Sequence, residues 1–130
     1  MAVTEAVENY LEAILVISHK QPDVHAVDIC NLLGYSRPTL SVAIKQMKED
    51  NLISVNGENH ISLTSSGRDV AERIYERHNV LASMLIALGV SEQTAYADAC
   101  KIEHDLSDET FDCIKKHYYN FKKLHAKNEI

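Results

Sequence analysis

The chain's 130 residues suffice for one good core, or for a small domain with a helical extension. Its formal net charge of −6 has the wrong sign for a protein that grips nucleic acid by bulk electrostatics, and no apolar run is long enough to span a membrane. The cysteines Cys30, Cys100 and Cys113 are odd in number, widely spaced and without a CxxC pair, which argues against a disulfide framework and for reduced thiols.

No basic half relieves the charge. Residues 1–66 carry 4 Lys and Arg against 8 Asp and Glu, and residues 67–130 carry 9 against 11. Any DNA binding must therefore rest on local basic residues and be weak until cations neutralise the acidic groups. An ordinary acidic cytosolic protein would show the same balance. The N-terminus, MAVTEAVENYLEA, is acidic and amphipathic, unlike a signal peptide, so the expected location is the cytoplasm.

In chain order, the first predicted helix runs from about Thr4 to Ser18. Val7, Tyr10, Leu11, Ile14 and Leu15 follow the i, i+3, i+4, i+7 pattern, with Asn9 and Glu12 on the other side. Ala26–Leu33 reads as a short helix closed by Gly34. Ser36 is the expected N-cap of the next helix, and Pro38 sits in its first turn, where a missing N–H costs nothing. That helix extends to about Asp50 with Leu40, Ile44 and Met47 as its buried row. Two helices joined by a short glycine-containing turn form a helix-turn-helix.

Next, Ile53 and Val55 alternate with polar residues before Asn56-Gly57, and Ile61 and Leu63 do so after it, which predicts a β-hairpin. A hairpin directly after a helix-turn-helix makes a winged helix. A long helix follows over about Ser66–Leu88, with Val70, Ile74, Leu81, Leu85 and Leu88 in register and His78 inside the apolar row. Gly89 ends it, Ser91 caps a helix over about Glu92–Asp105, and Ser107 caps a last one. Asp108 and Glu109 suit the positive end of that last helix; Lys115, Lys116, Lys122 and Lys123 lie nearer its close. The tail His125–Ile130 is expected to fray, and no linker or repeat interrupts the chain. The pattern predicts two domains, 1–65 and 66–130, meeting without a flexible break.

Cys100, Glu103 and His104 stand at i, i+3 and i+4, spacings that share a helix face. The bland alternative makes Cys100 a small buried hydrophobe, Glu103 solvated and His104 a surface residue. A metal reading draws on two further places. His78 on an apolar stripe needs partners for both ring nitrogens, and Asn9 and Glu12 pair at i, i+3. A mixed set of oxygen, nitrogen and one sulfur suits a divalent first-row metal and not a closed structural zinc site. Near the predicted recognition helix, Arg37, Lys45 and Lys48 with Ser36, Thr39 and Ser41 suit phosphate contact, although an exposed helix face would carry such residues anyway. The first-turn residues Ser36, Arg37, Pro38 and Thr39 are placed to meet base edges. Catalysis is disfavoured: a Glu and a His beside a metal could activate water, but no HExxH, glycine-rich phosphate loop or nucleophile–base pair is present. The competing functions are a thiol-based redox regulator acting through Cys100 and a metal-binding hydrolase.

The stretches ENYLEAI, DICNLLGYSRPTLSVAIKQM, ISLTSSGRDVAERIYERH and DACKIEHDLSDETF resemble the diphtheria-toxin-repressor family of metal-dependent transcriptional repressors, in order over roughly residues 5–120. That family includes iron-dependent regulators and manganese transport regulators. The resemblance implies a mainly α fold with a small β-hairpin wing: a winged helix-turn-helix followed by a helical metal-binding and dimerisation domain. The chain would be a short form without the SH3-like third domain. It would be a homodimeric repressor of metal homeostasis genes, activated by a divalent metal bound where the domains meet, acting on palindromic operator DNA.

On this resemblance His78, Glu103 and His104 match metal ligands. Glu12 matches a carboxylate ligand of the manganese regulators, and Cys100 a cysteine ligand of the iron regulators. Asn9 departs from both groups, which have aspartate or methionine there, but its amide oxygen can coordinate. Tyr96 stands where the iron regulators carry an ancillary-site histidine. The hybrid set implies Fe²⁺ first and Mn²⁺ second, with Zn²⁺ or Ni²⁺ favoured in vitro by the Irving–Williams order. Ser36, Pro38, Thr39 and Ser41 match the operator-contacting segment. Val42 replaces glutamine or lysine, so base preference there should differ.

Overall fold

The computed structural model describes residues 3–128, with side chains to residue 124. The order is α1 (Glu5–Ser18), α2 (Ala26–Leu33), α3 (Arg37–Glu49), β1 (Ile53–Val55), β2 (Ile61–Leu63), α4 (Ser65–Ala87), α5 (Glu92–Ile102) and α6 (Asp108–Asn128). The fold is mainly α with one antiparallel hairpin, as the pattern predicts. The chain forms two compact units, Met1–Ile74 and Tyr75–Ile130, so the division falls inside α4.

In the first unit, Thr4 Oγ1 accepts from the Val7 amide at 3.2 Å and starts α1. Tyr10, Leu11, Ile14 and Leu15 are buried on that helix, in the row that the apolar spacing marks. Helix α2 closes on Gly34 at φ 76°, a conformation in which a side chain is strained. Ser36 then accepts from the Thr39 amide at 3.4 Å, with Pro38 in the first turn of α3. Leu40 and Met47 are the buried residues of α3, which packs on α2 and on β1.

The wing forms between the two runs that the alternation marks. Val55 pairs with Ile61, so five residues, 56–60, form its tip. Asn56 Oδ1 accepts the amides of Glu58 and His60, each at 2.9 Å, and Asn59 takes φ 63°. The asparagine side chain thus replaces ladder bonds that a tight turn would have made. The Ile61 amide donates to the Val24 carbonyl at 2.8 Å, which ties the wing to the segment before α2.

Helix α4 starts one residue before the expected Ser66, because Thr64 Oγ1 accepts from the Gly67 amide at 3.1 Å. Gly67 meets the backbone of Leu52 directly: a Cβ there would lie 1.9 Å from the Leu52 carbonyl oxygen.

In the second unit, Ser91 accepts from the Thr94 amide at 3.4 Å and Ser107 from the Thr110 amide at 3.1 Å, so both expected caps form. Val80, Leu81, Ala82, Ala99 and Phe111 make the core, with Met84, Leu106, Ile114 and Tyr118 packed around it. Three expectations fail. Helix α5 ends at Ile102, where Arg77 takes up the Glu103 carbonyl, and not at Asp105. Leu88, in register with the apolar row, is 75 % exposed, left largely uncovered by the described residues. Helix α6 continues through the tail expected to fray, to Asn128; residues 129–130 of that tail lie outside the described residues. No described helix is long and apolar enough to cross a membrane.

Candidate metal centre

The second unit brings His78, Glu103 and His104 together. His78 Nδ1 lies 2.8 Å from Glu103 Oε2, and His104 Nε2 lies 3.4 Å from Glu103 Oε1. Glu103 is wholly buried; the His104 side chain is 3 % exposed and that of His78 is 22 % exposed. Burying a carboxylate is costly unless charged or hydrogen-bonding partners surround it. Here each oxygen faces an imidazole, yet Oε1 accepts no hydrogen bond among the described residues. A carboxylate with an under-used buried oxygen, flanked by two imidazoles, is a nitrogen–oxygen donor set that fits a divalent first-row metal.

The bland alternative is reversed at all three members of the triplet. Glu103 is buried and not solvated, the side chain of His104 is covered and not on the surface, and Cys100 is exposed and not a core residue. The shared helix face ends at Glu103. Glu103 is the C-cap of α5, still right-handed at φ −61° and ψ −30°, and the chain then turns through His104.

Arg77, which the sequence reading passed over, ends that helix. It is 5 % exposed, and its Nη1 donates to the Glu103 carbonyl at 3.1 Å and the Leu106 carbonyl at 2.7 Å. Its Nη2 pairs with Asp108 Oδ1, and the guanidinium lies 5.1 Å from the centre of the Phe111 ring. A cation at a helix C-terminus satisfies carbonyls that the helix leaves open. The available signal was an arginine beside the His78 stripe, in YERH. Tyr96 is a second neighbour, its ring 5.5 Å from that of His78 and tilted by 37°.

The remaining candidate ligands, Asn9 and Glu12, belong to the first unit, where both are half-buried on α1. On α3 of the same unit, Ser36, Arg37, Pro38, Thr39, Ser41, Val42 and Lys45 are all exposed, Val42 at 73 %. Arg37 also lines a cleft of about 470 Å³ with His25 before α2, Ile44 on α3, and Val55, Glu58 and Ile61 of the wing. Helix α3 therefore offers an exposed, largely polar face beside the wing, with Val42 as an apolar exception.

The chain is similar to known regulators. The family model for the iron dependent repressor, metal binding and dimerisation domain, matches residues 64–130. The chain is 32 % identical over 111 residues to the transcriptional regulator MntR of Escherichia coli O6:H1, across 85 % of this chain and 72 % of that protein. It is 28 % identical over 108 residues to the iron-dependent repressor IdeR of Mycobacterium bovis, across 82 % of this chain and 47 % of IdeR. Among solved structures, the metal-dependent transcriptional regulator MtsR superposes with a TM-score of 0.78 at 26 % identity, covering 85 % of this chain and 52 % of MtsR. The chain thus spans about half the length of MtsR and of IdeR. These relatives are named as transcriptional regulators and repressors. With a matching model over half its length and a relative alike along most of both chains, this protein belongs to the diphtheria-toxin-repressor family of metal-dependent transcriptional repressors.

Proposed function

We propose that the chain is a cytoplasmic, homodimeric repressor of metal homeostasis genes whose binding to palindromic operator DNA is activated by Fe²⁺ or Mn²⁺. The observation that carries this reading is the buried Glu103 carboxylate between His78 and His104. These three residues would hold the ion, with Cys100 from the same unit and Asn9 and Glu12 from α1. The likeness of Glu12 to a carboxylate of the manganese regulators supports the α1 contribution. A bound divalent ion supplies the positive charge that buried oxygen and nitrogen donors otherwise lack. Residues 1–65 then act as the DNA-binding domain and 66–130 as the metal-binding and dimerisation domain, the latter in line with the span of the family model.

Ligands drawn from both domains make occupancy and domain arrangement one equilibrium. Two recognition helices, α3 of each protomer, would be held at the spacing of two half-sites. A coupling of about 1–3 kcal/mol changes DNA affinity about 5–150-fold. Reducing the acidic charge near DNA adds a salt-dependent part.

Anisotropy with promoter fragments, under anaerobic reducing conditions, tests this by titrating Fe²⁺, Mn²⁺ and Zn²⁺ separately into chelated protein. Stimulation by one ion at the lowest free concentration supports the reading and ranks the metals. DNA bound equally well in chelator and released by oxidant would replace it with the redox reading through Cys100.

Two substitutions separate the parts. Arg37→Ala removes an exposed cation from the first turn of α3 and is expected to weaken operator binding by about 1–3 kcal/mol at unchanged metal affinity. Operator affinity equal to wild type removes Arg37 from the contact set. Cys100→Glu exchanges a soft ligand for a hard one, so the activating concentration of Mn²⁺ should fall relative to that of Zn²⁺. An unchanged ranking assigns Cys100 to the solvent-exposed surface of α5 alone.

A further inference from the structure

We infer that Arg77 is a positioning residue for the metal centre, setting the separation of His78 and Glu103 by holding Glu103 from behind. The inference rests on the metal reading above and adds a residue that contributes no ligand atom.

Glu103 is held at both ends by consecutive residues of α4. Arg77 Nη1 binds its backbone carbonyl at 3.1 Å, and His78 Nδ1 binds its carboxylate at 2.8 Å. The same Arg77 nitrogen takes the Leu106 carbonyl at 2.7 Å, so one guanidinium spans the turn that carries Glu103 and His104. Asp108 and the face of Phe111 fix the guanidinium from α6. Arg77 Nε donates to no described acceptor, so the donors in use are those that reach the turn and Asp108.

The planar fork keeps both Nη1 N–H groups, one for each carbonyl, in a plane fixed by Nη2 on Asp108, which a freely rotating ammonium cannot reproduce. Lysine at this position keeps the charge and loses the fork. The turn then gains freedom, and the donors lose a preset separation. Outer-shell groups that orient metal ligands typically govern affinity about 10–100-fold.

A role confined to stability makes a different forecast, and Asp108 separates the two. Asp108→Asn weakens the ion pair but leaves both arginine-to-carbonyl bonds in place. The experiment measures Co²⁺ affinity and the visible absorption of the Co²⁺ complex for the full-length wild type, Arg77→Lys and Asp108→Asn, with a thermal melt of each metal-free chain. Arg77→Lys is expected to lose about 10–100-fold in Co²⁺ affinity and to change the absorption envelope. Asp108→Asn should melt earlier yet keep both the affinity and the spectrum of wild type. In the metal-free chains, amide exchange from Glu103 to Leu106 should rise in Arg77→Lys and not in Asp108→Asn.

Equal affinity loss in both variants at equal loss of melting temperature would overturn the inference. So would a wild-type spectrum and exchange pattern in Arg77→Lys. Should Arg77→Lys fail to fold, Arg77→Gln, which keeps an amide donor without the buried charge, carries the same comparison. A wild-type chain that binds no Co²⁺ instead defeats the metal reading, and the exchange data then still decide whether Arg77 holds the turn.

Discussion

Glu103→Gln is expected to abolish metal-stimulated DNA binding while leaving the chain folded. Glutamine matches glutamate in volume, so the packing around residue 103 survives. It removes the buried charge, the costly part of the arrangement, and puts an NH2 donor and one neutral oxygen where two anionic oxygens faced His78 and His104. The stimulation, about 5–150-fold for a coupling of ordinary size, should collapse to none. The metal-free variant should melt no lower than wild type, because no partly compensated charge remains inside. Anisotropy across a metal titration and a thermal melt check both halves. Wild-type stimulation in Glu103→Gln would refute the site; a collapsed fold would show that the carboxylate is structural first.

Gly67→Ala is expected to be the most damaging single-methyl change in the first unit. The added Cβ would lie 1.9 Å from the Leu52 carbonyl oxygen and 2.9 Å from its carbon. Both are backbone atoms, so no side chain can swing aside. That carbonyl also accepts from the Thr64 amide at 3.1 Å, and Thr64 caps α4, so a shift of Leu52 disturbs the helix start as well. The expected loss is about 3 kcal/mol, at the upper end for overpacking. This is a large share of the about 5–15 kcal/mol that holds an ordinary domain together. Gly57→Ala is the matched control, since a Cβ there meets nothing within 4 Å and should leave the melting temperature unchanged. Similar melting of the two variants would show that α4 can tilt away from Leu52 at little cost.

Features set by neighbours in sequence were legible. Both ends of α2 and the caps Ser36, Ser91 and Ser107 depend on chemistry within a few residues. The two wing strands were legible as well, while the five-residue tip depends on the Asn56 side chain, which takes two amides. The end of α5 was not legible, because Arg77, twenty-six positions upstream of Glu103, supplies the donor that closes it. Gly67 reads as a weak spot in a helix until Leu52 is seen beside it. Leu88 shows the reach of periodicity, which places a residue on a face without saying whether anything covers that face. In the candidate site, the imidazole on an apolar stripe pointed correctly to a buried partner, while the shared face read for Cys100 and Glu103 did not reveal that Glu103 is buried and Cys100 exposed.

The burial of Glu103 also bears on how long the protein lasts. A centre that is more comfortable loaded than bare makes metal a stabiliser of the folded chain, worth about 2.7 kcal/mol when free metal stands at a hundred times the dissociation constant. The bare chain then opens more often, and opened chains are the ones that proteases cut. Scarcity of metal would act twice, first by releasing the operator and then by thinning the pool of repressor. Recovery after metal returns would accordingly wait on new synthesis, which gives the response a memory longer than the lifetime of any single metal–protein complex.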